Sequence, residues 1–339
     1  MSKGSGFGGD GMKSRRAARL GRDISEIGFG AWQIGGSWGE VDERDAVAAL
    51  NTALDAGMTF IDTADGYGGG RSERIIGEVL AARKAPRPFV ATKCGRGHGP
   101  NTAESYTAKN LAAWVEMSLG NLRTEALDLL QLHCPPTRVY YMPEVFGALD
   151  DLVAAGKIRH YGVSVEKVEE GLKAIEFPGV ASVQIIYNIY RQRPARLFFR
   201  EARRRGVAVI TRVPLASGLL TGKLKRDTKF AADDHRLTNR NGEEFDKGET
   251  FAGVPYELGL DVAEELRELV PEGETMAAFA LRWILMSEAV TTVIPGARNA
   301  AQAKANAAAG NLPPIDEHTM NAVAELYQRR IAPEVDQRW

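Results

Sequence analysis

The sequence predicts a single (β/α)8 barrel, the TIM-barrel architecture, and three observations predict it. Strand-like and helix-like segments alternate from residue 26 to about 309. The strand-like segments are short, continuous and rich in Val, Ile and Leu, as strands covered on both faces are. The chain has 339 residues, enough for one barrel of roughly 250 residues with additions. Unbroken β/α alternation implies a parallel sheet. Eight units close it, and right-handed crossovers fix its hand.

The elements follow in order. Strand one spans 26–30, and a helix over 42–56 places Val47, Leu50 and Leu54 on one face. Strand two is 59–62, followed by a helix over 71–82 that buries Ile75, Ile76, Val79 and Leu80. Strand three is 88–93 with a helix over 103–122, and strand four is 127–133 with a helix over 143–155. Strands five to eight are 160–165, 182–188, 207–213 and 291–295. Helices at about 166–175, 194–205, 275–287 and 299–309 fill the gaps, and extra helices lie at 256–270 and 316–330. The stretch 222–253, after strand seven, is too long for an ordinary βα connection and rich in Lys, Asp, Asn and Gly, which predicts a lid or binding loop. Residues 1–19 read as a flexible leader, 20–330 as the barrel and 331–339 as a tail.

Composition narrows the function classes. With 43 Lys+Arg against 44 Asp+Glu, the chain gives no reason to expect nucleic acid or an acidic membrane as partner. No segment approaches the run of about 20 apolar residues that a membrane helix needs. The two cysteines, Cys94 and Cys134, predict a reducing, cytoplasmic setting without disulfides. They and the five scattered histidines show no metal-ligand spacing. The run Arg191, Arg193, Arg196, Arg200, Arg203, Arg204, Arg205 reads mainly as a solvated helix face, with Arg191 or Arg193 at a pocket mouth as the alternative.

Chemistry gathers where strands end. Asp62, Lys93 and His133 close strands two, three and four, and Tyr67 lies in the loop after strand two. Barrel active sites sit at the C-terminal strand ends, and neighbouring ends are about 5 Å apart. A tyrosine of ordinary pKa near ~10 is a reluctant acid at neutral pH. An adjacent ammonium stabilises its phenolate, so Lys93 is expected to lower the Tyr67 pKa. Asp62 keeps Lys93 charged, and His133 donates to an oxygen gaining negative charge. The set suits protonation of a carbonyl oxygen while its carbon accepts a hydride, and a cofactor must bring the hydride. Trp32, Trp38, Tyr67, Tyr140 and Tyr141 are candidates for an apolar substrate wall. A barrel isomerase or hydrolase using the same four groups is a further reading.

Several stretches resemble the aldo-keto reductase superfamily in bacterial form. They are Gly28-Phe29-Gly30-Ala31-Trp32, Asp62-Thr63-Ala64-Asp65-Gly66-Tyr67, Gln131-Leu132-His133, Tyr161-Gly162-Val163-Ser164, the run from Pro214 to Lys223, and Ile294-Pro295-Gly296-Ala297-Arg298. The resemblance covers about residues 20–330. It implies a catalytic tetrad of Asp62, Tyr67, Lys93 and His133 with Tyr67 as general acid, and a nicotinamide cofactor held without a Rossmann domain. By position it assigns Ser164 and Gln184 to the carboxamide, with Gly30 and Trp32 bordering that end. Pro214, Leu215, Ser217, Gly218 and Leu219 are assigned to the pyrophosphate, and Gly296, Arg298, Gln302 and Asn306 to the adenosine. Lys225 is a second cation from the long loop. Arg298 suits a 2′-phosphate, which favours NADPH over NADH. Arg212 stands where many relatives place an aromatic residue under the nicotinamide, and Gly296 where some place a lysine. The implied activity is NADPH-dependent reduction of an aldehyde or ketone, with a bulky 3-keto mycotoxin of the deoxynivalenol class among the substrates. A cofactor-sensing regulatory subunit of the same fold, as in potassium-channel β subunits, is the alternative.

Overall fold

The computed structural model describes residues 11–36, 38–39, 41–97 and 99–339. Two strands, Ser14–Ala17 (β1) and Arg22–Ser25 (β2), form an antiparallel hairpin. Eight parallel strands follow, neighbouring one another in chain order. They are Phe29–Gly30 (β3), Phe60–Asp62 (β4), Phe89–Cys94 (β5), Leu129–His133 (β6), Tyr161–Ser164 (β7), Val180–Ile186 (β8), Ala208–Arg212 (β9) and Val290–Val293 (β10). Backbone bonds from Gly28 N to Val293 O (2.8 Å) and from Gly30 N to Pro295 O (3.1 Å) join the first barrel strand to the last. Gly30 is required at this seam, because a Cβ there would lie 2.6 Å from the Ile294 carbonyl oxygen.

Period-2 alternation decides which side chains face the barrel axis. Phe60, Phe89, Ala91, Leu129, Ala181, Ala208 and Ile210 form an inner core, and Ile61, Val90, Leu130 and Leu132 join the larger core under the helices. Ala17, Leu20 and Ile24 of the hairpin belong to the inner core, so the hairpin plugs the lower end. Following the same alternation upward places Asp62, Lys93, Gln131 and His133 on the axis side at the upper end. The outer helices start at side-chain caps: Asp42 accepts from Arg44 N, Thr107 from Asn110 N and Asn299 from Gln302 N.

Some expected boundaries change. The leader was expected to reach residue 19, but the hairpin begins at Ser14. Arg15 pairs with Glu26 at 2.7 Å and donates to Val290 O, while Arg19 donates to Val180 O and Arg205 O. Residues 1–10 of that leader lie outside the described residues. The helix expected from 103 starts at Ala108, after a single turn at Ala103–Ser105, and the one expected from 194 starts at Phe198. The tail is packed as well: Ala332–Val335 is helical and Trp339 is buried. Between β9 and the helix Tyr256–Arg267 the chain forms short turns at Ala216–Thr221, His235–Thr238, Lys247–Glu249 and Phe251–Gly253. The inward residues of this connection, Asp234, His235, Asn239, Glu249 and Thr250, are buried. No helix among the described residues is long and apolar enough to cross a membrane.

Candidate active site

Lys93 is at the centre of the site. Its ammonium donates to Asp62 Oδ2 at 2.7 Å, to the Thr63 carbonyl at 2.9 Å and to the Tyr67 hydroxyl at 3.1 Å. Asp62 is held from its other side, where Oδ1 accepts from Gln184 Nε2 at 2.6 Å and Gln131 Nε2 at 3.3 Å. Register explains the convergence. Asp62 pairs with Ala91 across β4–β5, Lys93 with Gln131 across β5–β6, and His133 with Ser164 across β6–β7. Tyr67 is fixed by its turn, with its N–H donating to Ala64 O, and by Trp32, whose ring stacks on it at 6.1 Å. The turn backs onto Gly35, where a Cβ would lie 2.7 Å from the Tyr67 Cβ. The His133 ring meets Tyr67 edge-on at 5.7 Å.

Burial and charge set the protonation states. Burial opposes the Lys93 charge, but Asp62 and Tyr67 together outweigh it and the Lys93 pKa is raised. His133 falls well below the ordinary histidine value, through burial first and then the Lys93 and Arg96 charges, so it is neutral at pH 7. The expected lowering of the Tyr67 pKa is not the net result. Burial raises it by more than Lys93 lowers it, so the phenol is firmly protonated at neutral pH.

A second set of charges lies beside the first. Arg212 pairs with Glu166 at 2.8 Å and with Glu249 at 3.4 Å, and Arg96 pairs with Glu249 at 2.5 Å. Burial pushes the Glu249 carboxyl upward, but Arg96 and Arg212 together hold it well below the carboxylate range. Burial pushes Glu166 up to about 8 despite Arg212. Cys134, Glu166 and Glu249 approach one another, but burial keeps the Cys134 thiol and the Glu166 carboxyl protonated, and Arg96 and Arg212 pair with the Glu249 carboxylate.

Above these groups a cleft of about 410 Å³ runs from Tyr67 and His133 to Arg298, Gln302 and Asn306. Gly30, Trp32, Ser164, Gln184, Arg212, Pro214, Leu215, Ser217, Gly218 and Gly296 line it as well. Two of the assigned residues do not. Leu219 is buried behind the wall against Gly259, and Lys225 is exposed, its carbonyl accepting from the Tyr256 hydroxyl. Lys223 and Arg236 line the cleft instead. Of the aromatic candidates, Trp38 joins Trp32 in the lining, whereas Tyr140 is in the core and Tyr141 points outward, 64% exposed. Arg191, one of the alternatives for the pocket mouth, is fully buried beneath the Trp339 ring at 3.9 Å. Sequence reasoning missed Gln33, Gln131, Glu166, Arg236 and Glu249. Gln131 was within reach, since it shares the alternation of β6 with His133. The others sit in connections whose course only the folded chain defines.

The Aldo/keto reductase family model matches residues 26–328. Aldo-keto reductase YhdN of Bacillus subtilis is 30% identical over 299 residues, 87% of each chain. A probable voltage-gated potassium channel subunit beta of Arabidopsis thaliana is 27% identical over 320 residues, 90% of this chain and 93% of that one. Among solved structures, a glycerol dehydrogenase from Gluconobacter oxydans superposes with a TM-score of 0.76 at 29% identity, covering 94% of this chain and 96% of its own. A family match over nearly the whole barrel, a 30% identical relative and the same fold in solved relatives agree: this chain belongs to the aldo/keto reductase family.

Proposed function

We propose that this protein reduces an aldehyde or ketone to its alcohol with NADPH, with Tyr67 as general acid. The observation that carries the reading is the buried Lys93 ammonium, bonded at once to Asp62 and to the Tyr67 hydroxyl. A bound nicotinamide dinucleotide supplies the hydride. Tyr67 gives its proton to the carbonyl oxygen as negative charge develops there. Lys93 stabilises the resulting phenolate, and Asp62, anchored by Gln131 and Gln184, keeps Lys93 oriented. Neutral His133 retains one ring N–H to donate to the same carbonyl oxygen.

The cleft fits such a cofactor. Buried polar atoms without a protein partner border it at Gln33 Oε1, His133 Nδ1 and Arg212 Nε, as expected of groups that meet a polar ligand. Lys223, Arg236 and Arg298 bring positive charge suited to phosphates. Ser164 and Gln184 would hold the carboxamide, with Arg212 beside the ring. Ser217 and Gly218 would line the pyrophosphate, and Arg298, Gln302 and Asn306 the adenosine. Arg298 favours NADPH, and turnover with NADPH against NADH tests that preference. Trp32 and Trp38 provide a wall for an apolar carbonyl substrate, and 3-keto compounds of the deoxynivalenol class belong in the panel screened.

A second reading is supported by the potassium-channel subunit among the relatives: a cofactor-sensing regulatory subunit. Steady NADPH-dependent reduction across a carbonyl panel, abolished in Tyr67→Phe, supports the reductase. Tight NADPH binding with no turnover of any carbonyl supports the regulatory subunit.

A further inference from the structure

Residues 246–253 lie between the cleft and the tail. The inner side of this segment carries Glu249, which lines the cleft and bridges Arg96 and Arg212. The same segment clamps the turn after β9: Ser217 Oγ donates to Glu249 O at 3.3 Å and accepts from Phe251 N at 3.1 Å. Ser217 itself has a left-handed φ of 53°, so its turn depends on such outside support.

The outer side of the segment rests on Trp339, which is 5% exposed. Its indole N–H donates to Asp246 Oδ1 at 2.8 Å, and that same oxygen caps the Lys247–Glu249 turn by accepting from Gly248 N at 2.7 Å. The ring lies flush on Gly253, where a Cβ would come within 2.5 Å of it. Arg191 stacks over the ring at 3.9 Å and donates to the Ala252 carbonyl at 3.3 Å. Arg193 donates to the Trp339 carbonyl. The tail thus grips both ends of the turn that presents Glu249.

We propose that Trp339 is a positioning residue for the reduction, holding Glu249 between Arg96 and Arg212 and keeping the Ser217 turn in place. The role rests on the reductase reading. Glu249 is one of several charges that act on Tyr67, together with Lys93, Asp62 and Arg212, and its negative charge adds to the rise that burial gives the phenol. Withdrawing Glu249 therefore lowers the Tyr67 pKa.

The test compares wild type with Trp339→Ala, Asp246→Ala, Glu249→Gln and the Trp339→Ala/Glu249→Gln double variant. NADPH affinity is measured by calorimetry, and kcat/KM for a simple aldehyde is followed across pH. Trp339→Ala is expected to weaken NADPH binding about tenfold and to lower kcat/KM roughly 10- to 100-fold, the scale of a small misplacement near reacting groups. Its alkaline limb moves to lower pH, as in Glu249→Gln, and the double variant loses little beyond Glu249→Gln. Trp339→Phe, which keeps a ring over Gly253, recovers most of the loss. Asp246→Ala leaves the indole in place and reports the same shift should Trp339→Ala fail to fold. Wild-type affinity and pH profile in the folded fraction of Trp339→Ala, or strictly additive losses in the double variant, overturn the proposal. Wild type that binds NADPH but reduces no carbonyl overturns the reductase reading, and the calorimetric arm then decides on Trp339 alone.

Discussion

The floor of the site and the wall beside it are built by different means. The floor is Asp62, Lys93, Gln131 and His133, each on a strand end and each placed by register and period-2 alternation. The wall is Arg212, Glu249 and, behind them, Trp339, gathered from a strand end, a long connection and the tail. Both bury charge, but they satisfy it differently. Lys93 is held by Asp62 at a strand end and by Thr63 and Tyr67 in the turn that directly follows it, whereas Glu249 depends on an irregular turn gripped by residues distant in sequence. The floor is fixed as long as the barrel closes. The wall is therefore expected to yield to substitutions that leave the barrel intact.

The largest expected effect is on the floor. Lys93→Met removes the only cation in contact with both Asp62 and Tyr67 among the described residues. Turnover of an aldehyde should fall between about a hundred- and ten-thousand-fold. Chemical denaturation should show a loss of roughly 3–5 kcal/mol, because Asp62 keeps a buried charge without its counter-ion. Unchanged turnover would remove Lys93 from the mechanism.

Two glycine substitutions break the comparison in opposite ways. Gly162→Ala puts a Cβ 2.5 Å from the Ser182 carbonyl oxygen between β7 and β8, outside the cleft lining. It should cost about 1–3 kcal/mol of stability, while the folded fraction keeps near-normal KM for a carbonyl and for NADPH. Gly253→Ala combines a φ of 81° with a Cβ contact on Trp339. It should cost about 1–2 kcal/mol and also raise KM, because the turn bearing Glu249 moves. If both variants lose only stability, floor and wall are not separable.

The effect furthest from catalysis concerns pH. Asp65 is buried beside Glu73, and burial followed by the Glu73 charge pushes its carboxyl up to about 8. Its unfolded value lies near ~3.9, so the folded state holds a proton that the unfolded state has already released. Stability therefore falls as pH rises from about 4 towards 8 and levels off above that. Asp65→Asn should flatten this slope by a few kcal/mol over roughly that range, read from denaturation midpoints at several pH values. A slope identical to wild type would show that Asp65 ionises normally.

How legible each region was in sequence follows the same division. The strands declared themselves through Val, Ile and Leu runs, and polar residues at the run ends marked Asp62, Lys93 and His133. Gln131 obeys the same alternation but carries no charge to draw attention. Glu249 gave no signal, because its partners Arg96 and Arg212 meet it only after the connection folds back. The hairpin was hidden because Ser14–Ala17 is short, polar and preceded by a Gly-rich stretch. Trp339 was hidden because a lone tryptophan after a helix has no periodicity to place it. The direction of the Tyr67 shift was misjudged because a sequence shows the neighbouring lysine but not the depth of burial.

In the proposed reaction Tyr67, supported by Lys93, protonates a carbonyl that is being reduced. The most direct measurement is the conversion of a simple aldehyde to its alcohol with NADPH by wild type and by Tyr67→Phe, with NADPH affinity measured alongside by calorimetry. Wild type should form alcohol steadily, and Tyr67→Phe should lose turnover with affinity within about twofold, because only the proton donor has been removed. Wild-type turnover in Tyr67→Phe would contradict that role.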